Sequence, residues 1–308
     1  MAQAKTVYVN KRNKIKTPAG DKVFYTLVNI GLAIFTLIVL IPLVNIVSCS
    51  FSSVDAVKFG YVTVYPVDFS IEGYKAVFGY HGIGRSYLNT VWYTLLGTAI
   101  NLVMTMVTAY PLARKRLPFH GLITFLFMFT MYFGGGTIPN YLLVKSLGFY
   151  DTVWALVVPG ALSVYNMIIA RTFINNIPAE LEEAATIDGC SDFRYFFSMV
   201  LPLSGTVIAV LALYYAVGHW NEYFNAFLYL SDPDKVPLQL TLRAILIKES
   251  VEITNIAGIN PEDYLNRKDM SDLLKYALIV VSSAPILCSY PFVKRFFMKG
   301  VMIGAVKG

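Results

Sequence analysis

Apolar side chains in this chain fall in long blocks rather than in the narrow stripes of a water-facing helix. Six blocks stand out, at 23–47, 88–112, 119–137, 153–170, 199–217 and 273–292. Each approaches the roughly 20 residues that an α-helix needs to cross a bilayer. The pattern predicts an all-α integral membrane protein with six transmembrane helices over 23–298, a basic tail at 1–22 and a short tail at 299–308. The first block is too long for a signal-peptide core and no small-residue cleavage site follows it, so it is expected to stay as an anchor. In the third block, Gly134, Gly135, Gly136 and then Pro139 predict an interruption, followed by a short interfacial helix at 139–147. The polar intervals at 53–85 and 231–272 are expected to fold over one mouth of the bundle, the second with a helix at 238–248.

Charge placement orients the bundle. With both termini inside, the first tail, Arg114 to Arg116, Arg171, Arg194 and the residues after the sixth block, 293–308, hold 15 of the 25 Lys and Arg. That excess predicts cytoplasmic N and C termini. Composition agrees with lipid as the main solvent, since 56% of residues are apolar and only 14% charged, against about one quarter charged in globular proteins. The net charge of +6 would suit a nucleic-acid binder, but many of the basic residues gather at the ends of apolar blocks, beside abundant Tyr. The basic residues therefore point to membrane lipid and not to nucleic acid.

Cys49, Cys190 and Cys288 lie far apart and read as packing residues, with no metal or disulfide pattern. His81, His120 and His219 are not spaced as ligands or as a catalytic pair. The most informative stretch is 175–202, NNIPAELEEAATIDGCSDFRYFFSMVLP. Pro178 suits a helix start, Glu180, Glu182 and Glu183 favour the positive end of the helix dipole, and Gly189 suits a left-handed C-terminal residue. Ser191 or Asp192 can cap a second helix that runs into Leu201 and Pro202. Small residues, Ala184 and Ala185, beside carboxylates would let the first helix enter a groove on another protein. An ordinary surface hairpin satisfies the same local physics.

Glu183, Ala184 and Ala185, then three residues, Gly189, nine residues and Met199, Val200, Leu201, Pro202 together resemble the EAA loop of ATP-binding-cassette (ABC) importer permeases. Met199 stands where Ile is usual. The resemblance extends over essentially the whole chain and is strongest to MalG-like second permeases of carbohydrate importers. Residues 66–74, SYLNT at 86–90, WNEY at 220–223, PLQLTLR at 237–243 and FMKGVMIGAVKG at 297–308 carry it. It implies a type I importer fold in the cell membrane of a Gram-positive bacterium, carrying plant-derived or uronic-acid oligosaccharides. It also implies a second homologous permease, two ATPase subunits that bind ATP and Mg, and an extracellular solute-binding lipoprotein. Glu182, Glu183, Ala184, Ala185, Asp188, Gly189, Leu201 and Pro202 would then couple to the ATPase, and Gly300, Gly304, Lys307 and Gly308 would reach between its subunits. This chain has no GxxxxGK[ST] loop to cradle phosphates and needs no cofactor of its own, so it is expected to be non-catalytic.

Polar and aromatic groups within the crossings are candidates for a sugar path: Asn89 and Thr90, Tyr165 and Asn166, and Trp220, Asn221 and Glu222. Helix-to-helix hydrogen bonding and interfacial anchoring are the readings that local physics favours for each residue taken singly. An ion-coupled secondary transporter would need buried acids in the crossings, and the six blocks carry no Asp or Glu.

Overall fold

A computed structural model describes residues 18–114, 116–254, 270, 272–288 and 291. Among them the regular structure is helical. In chain order it comprises α1 (Ala19–Ser50), α2 (Val54–Lys58), α3 (Glu72–Gly79), α4 (Ile83–Ala113), α5 (His120–Tyr132), α6 (Thr137–Ser146), α7 (Trp154–Val157) and α8 (Val164–Asn175). There follow α9 (Ala179–Ile187), α10 (Asp192–Tyr195), a π turn (Phe196–Val200), α11 (Leu201–Leu203), α12 (Gly205–Trp220), α13 (Phe224–Tyr229), a 3-10 turn (Pro233–Lys235) and α14 (Leu238–Thr254). A last helix, α15, covers 272–288.

Two helices, α1 and α4, are each long and apolar enough to cross a membrane alone. Two further candidates are bent pairs: α5 with α6, turned by 112°, and α10–α11 with α12, turned by 77°. The first bend falls at the expected glycines, which leave the backbone without side chains to hold a helix. The block at 153–170 is not one helix. Pro159 and Gly160 end α7, and Ser163 starts α8 by accepting the Asn166 amide at 3.3 Å.

Helix α4 is the mast of the fold, and its sides are inverted relative to a soluble helix. Thr90, Gly97, Asn101, Thr105 and Ala109, at four- or seven-residue intervals on one face, are buried, whereas Leu88, Leu95 and Val103 are exposed. Small and polar side chains facing inward and aliphatic ones outward is the arrangement expected where lipid replaces water. Met106, Ala109 and Leu112 of α4 pack with Met167, Ala170 and Ile174 of α8 and Val207, Leu211 and Tyr215 of α12. Thr105 and Tyr215 share a buried hydroxyl hydrogen bond of 2.6 Å. A second core at the opposite end joins Val77, Ile83, Trp220, Leu238 and Leu242 to Leu274 and Leu278 of α15. The apolar length of α1 packs against neither core and stays exposed.

Candidate functional site

The segment that carries α9 is built as a closed hairpin. Pro178 precedes α9, Glu180 and Glu182 occupy its first turn, and Gly189 ends it at φ +70°. The Gly189 amide donates to the Thr186 carbonyl at 3.1 Å and the Cys190 amide to Ala185 at 2.9 Å. This pair of reversed bonds satisfies the free carbonyls of a helix end and requires a left-handed residue at position 189. Ser191 then caps α10 by accepting the Arg194 amide at 3.3 Å, so of the two candidate caps the serine is the one used.

One face of α9 is held and the other is free. Ala185 is buried against the α4–α8 core. Glu182 reaches the guanidinium of Arg114, at the end of α4, at 3.2 Å, and the same Nη1 also bonds Asp192 of α10. Arg114 is only 13% exposed in its side chain, and its guanidinium lies 4.6 Å from the Tyr110 ring centre and 5.3 Å from that of Tyr195. Lying against both rings while one nitrogen serves two acids, it uses the flat, delocalised cation that Lys lacks. Tyr110 adds a hydroxyl bond to the Asp192 carbonyl at 3.1 Å. A cleft of about 440 Å³ opens beside α9, lined by Arg114, Arg116, Ile174, Glu182, Glu183 and Tyr195 among others. Burial pushes the Tyr195 phenol upward, and the nearby Glu182 charge adds to the shift.

On the free face stand Glu183, Ala184, Asp188 and Gly189, all exposed. Ile187 beside them is 86% exposed and Phe193 74%. Ile187 of α9 and Phe193 of α10 are thus large apolar side chains left uncovered, each one or two residues in sequence from a carboxylate. Sequence reasoning missed both, because an isolated Ile or Phe in a capped hairpin gives no periodic signal; the four-residue spacing of Glu183 and Ile187 was the available clue. Leu201 is half-buried against the core and Pro202 exposed.

The candidates for a sugar path do not gather in one place. Asn89 donates to the carbonyls of Asp234 and Val236, at 2.7 and 3.1 Å, and Thr90 accepts the Leu238 amide at 2.7 Å. Both therefore pin the 231–238 segment onto α4. Trp220 is buried, donating to the Ser282 carbonyl at 2.9 Å and edge-on to Tyr87. Glu222 accepts the Asn225 amide at 3.1 Å and so caps α13, while Asn221 is exposed. Tyr165 is exposed and Asn166 buried at the start of α8. Gly300, Gly304, Lys307 and Gly308 lie outside the described residues.

Near the Asn89 contacts, Asp151 clasps the 231–238 segment. Its carboxylate accepts the Ser231 and Asp232 amides at 3.0 and 3.1 Å and the Lys235 ammonium at 2.8 Å. The Lys235 ammonium and the two amides hold the Asp151 carboxyl down to about 2. Two further groups that sequence reasoning set aside or passed over meet inside the bundle: Asn101 of α4 and His219 of α12, 2.6 Å apart.

Comparison with known proteins matches this architecture. The family described as binding-protein-dependent transport system inner membrane component matches residues 15–301. The chain is 40% identical to the polygalacturonan/rhamnogalacturonan transport system permease protein of Bacillus subtilis over 288 residues, covering 94% of this chain and 99% of that one. It is 41% identical to protein LplC of Bacillus subtilis, covering 88% of this chain and 90% of that one. A crystal structure of a bacterial ABC transporter involved in the import of the acidic polysaccharide alginate superposes with a TM-score of 0.79 at 30% identity, over 92% of this chain and 99% of that one. The chain thus belongs to the binding-protein-dependent transport system inner membrane components, the permease family of ABC importers.

Proposed function

We propose that this chain is one of two permease subunits of an ABC importer for acidic, plant-derived oligosaccharides, and that α9 is the joint through which ATPase subunits move it. One observation carries the reading. α9 is closed by the Gly189 cap, clamped on one face by Arg114 and Ala185, and left free on the other with Glu183, Ala184 and Ile187, while Phe193 of α10 is exposed as well. A rigid element with one held face and one free face transmits force and does no chemistry. Glu182, Asp188, Leu201 and Pro202 belong to the same joint by holding its shape and its continuation into α12.

The partners follow from this reading: a second homologous permease, two ATPase subunits that bind ATP and Mg on the cytoplasmic side, and a solute-binding lipoprotein outside. The chain crosses the Gram-positive cell membrane six times, with N and C termini inside and the tail residues Gly300, Gly304, Lys307 and Gly308 reaching the ATPase pair. Acidic cargo is supported by the two similar systems named for polygalacturonan and alginate. Asn89, Thr90, Tyr165, Asn166, Trp220, Asn221 and Glu222 border or shape the sugar path. Alternating access comes from partner subunits, because the work is done by ATP hydrolysis elsewhere.

The test is Gly189→Val. A β-branched residue at φ +70° costs on the order of 1–3 kcal/mol of backbone strain, which opens the cap. The variant is expected to insert and assemble but to lose oligogalacturonide-stimulated ATP hydrolysis in the purified complex; an unchanged rate would overturn the coupling role.

A further inference from the structure

We infer that Asn101 is a positioning residue that ties the break in the fourth predicted crossing to α12 through His219, so that movement of the α9 joint reaches the 158–163 segment. The inference rests on the permease reading above and extends it beyond the coupling hairpin to the middle of the helical bundle.

The break creates a physical problem. Pro159 lacks an amide and Gly160 ends helical order, so the carbonyls of this segment lose their partners within a stretch otherwise apolar enough to span. Such groups are costly in lipid unless protein supplies a donor. Asn101 supplies one: its Nδ2 donates to the Gly160 carbonyl at 2.6 Å, from a residue only 1% exposed. Because that carbonyl can only accept, the orientation of the amide is fixed, and Oδ1 faces His219. Oδ1 in turn can only accept, so His219 Nε2 must carry the proton in the 2.6 Å bond between them. The three groups therefore form a directed relay in which each has one role and no spare orientation.

The relay has mechanical neighbours on both sides. α12 begins at the Ser204 bend that follows the coupling hairpin and runs antiparallel to α4, as the pairs Thr105 with Tyr215 and Asn101 with His219 show. Gly97 lies one turn from Asn101, and a Cβ there would collide with the His219 ring. Glycine at 97 thus lets the imidazole lie against α4 and reach Asn101. On the far side of the break, Tyr165 is exposed and Asn166 buried at the start of α8. A shift of α12 along α4 moves the His219 donor at Oδ1, so the Asn101 amide either loses that bond or turns to follow it and draws Nδ2 away from the Gly160 carbonyl. Discontinuous helices of this kind line substrate sites in other transporters, which gives the coupling a purpose at this position.

The experiment uses the whole complex purified through a tag on this chain, with Cys49, Cys190 and Cys288 replaced by serine and Ala161→Cys as a reporter in the break. The alkylation rate at 161 is measured without and with ATP, beside basal and oligogalacturonide-stimulated ATP hydrolysis. Asn101→Leu and His219→Phe are expected to keep assembly and basal hydrolysis. They should lower sugar stimulation by about tenfold, within the usual span of coupling between sites, and abolish the ATP-dependent change at 161. Gly97→Ala should do the same by displacing the ring with both polar groups intact. His219→Gln, which keeps a donor at similar reach, should restore most of both signals, a rescue that a mere packing role would not give.

Retained stimulation in Asn101→Leu or His219→Phe would overturn the inference, as would a parent whose 161 reporter ignores ATP. Failure of all four variants to assemble would do so too, by making the cluster a folding element. A parent complex with no sugar-dependent hydrolysis at all would instead overturn the permease reading, and the two failures are separable.

Discussion

Arg114 shows how much one side chain at a helix end can organise. Its pair with Asp192 is nearly worthless by itself, because that carboxylate is 81% exposed and surface pairs contribute about 0–1 kcal/mol. What matters is that a single guanidinium, buried against two tyrosine rings, touches α4, α9 and α10 together. Arg114→Ala is expected to loosen the hairpin, read as faster proteolytic cutting near 188–192, and to lower sugar-stimulated hydrolysis severalfold. Arg114→Lys should recover little of this, since an ammonium has no flat face to lie against the two rings. Full activity in the Ala variant would refute the clamp.

Asp151 gives a prediction in pH. Its carboxyl is held down to about 2 from 3.8, so it stabilises the clasp fully above about pH 4 and loses that contribution as pH falls through 2. Lys235 is shifted upward from 10.5 by the same contact, so its share is complete below that value and disappears only as pH rises through the elevated one. The clasp therefore persists across the whole neutral range. Amide exchange at Ser231 and Asp232, corrected for the intrinsic rate, should stay slow from pH 8 to pH 4 and accelerate toward pH 2. In Asp151→Ala it should be fast throughout.

At the scale of elements, the sequence made plain what periodicity and local chemistry encode. The hairpin at 175–202, with Gly189 left-handed and a cap at Ser191 or Asp192 after it, could be read from residue types alone, as could the interruption at Gly134–Gly136 and the helix after it; the choice of the serine came from the structure. The breaks inside spans four and five were not legible. Pro159 and Gly160 sit in an apolar run where hydropathy averages them away, and the compensating donor, Asn101, is 59 residues distant in sequence. The bend at Ser204 likewise depends on packing that no local pattern records. The π turn before it has a local cause. Pro202 offers no amide to Ser198 and its ring would strike that carbonyl, so the helix widens and the Leu201 amide bonds Phe196 instead. Pro202→Ala restores the donor and favours an ordinary α turn, which would rotate the hairpin relative to α12. The expected result is normal assembly with sugar-stimulated hydrolysis reduced severalfold; unchanged coupling would show that the wide turn is incidental.

For the whole molecule, the question is which surfaces meet lipid, water and other subunits. The apolar length of α1 is exposed, and none of the described residues of α5 is buried. A free chain with such surfaces could not stay dispersed in water, whereas the two cores hold α4, α8 and α12 together without them. On the proposed reading lipid and a second permease cover them, and the charge asymmetry of the sequence is what that reading uses to set the direction. On the proposed topology the hairpin end, with Arg114, Arg116, Arg171 and Arg194, faces the cytoplasm, and the Asp151–Lys235 clasp faces outside. In a cysteine-free background, a membrane-impermeant maleimide should label Asp234→Cys in intact cells and Ile187→Cys only in inverted vesicles. With partner ATPase present, Ile187→Cys should be shielded even there, because that side chain lies in the face proposed to dock. Labelling of position 187 from outside would reverse the topology and remove the basis for placing the ATPase at α9. Labelling from inside without shielding would keep the topology but move the docking surface elsewhere.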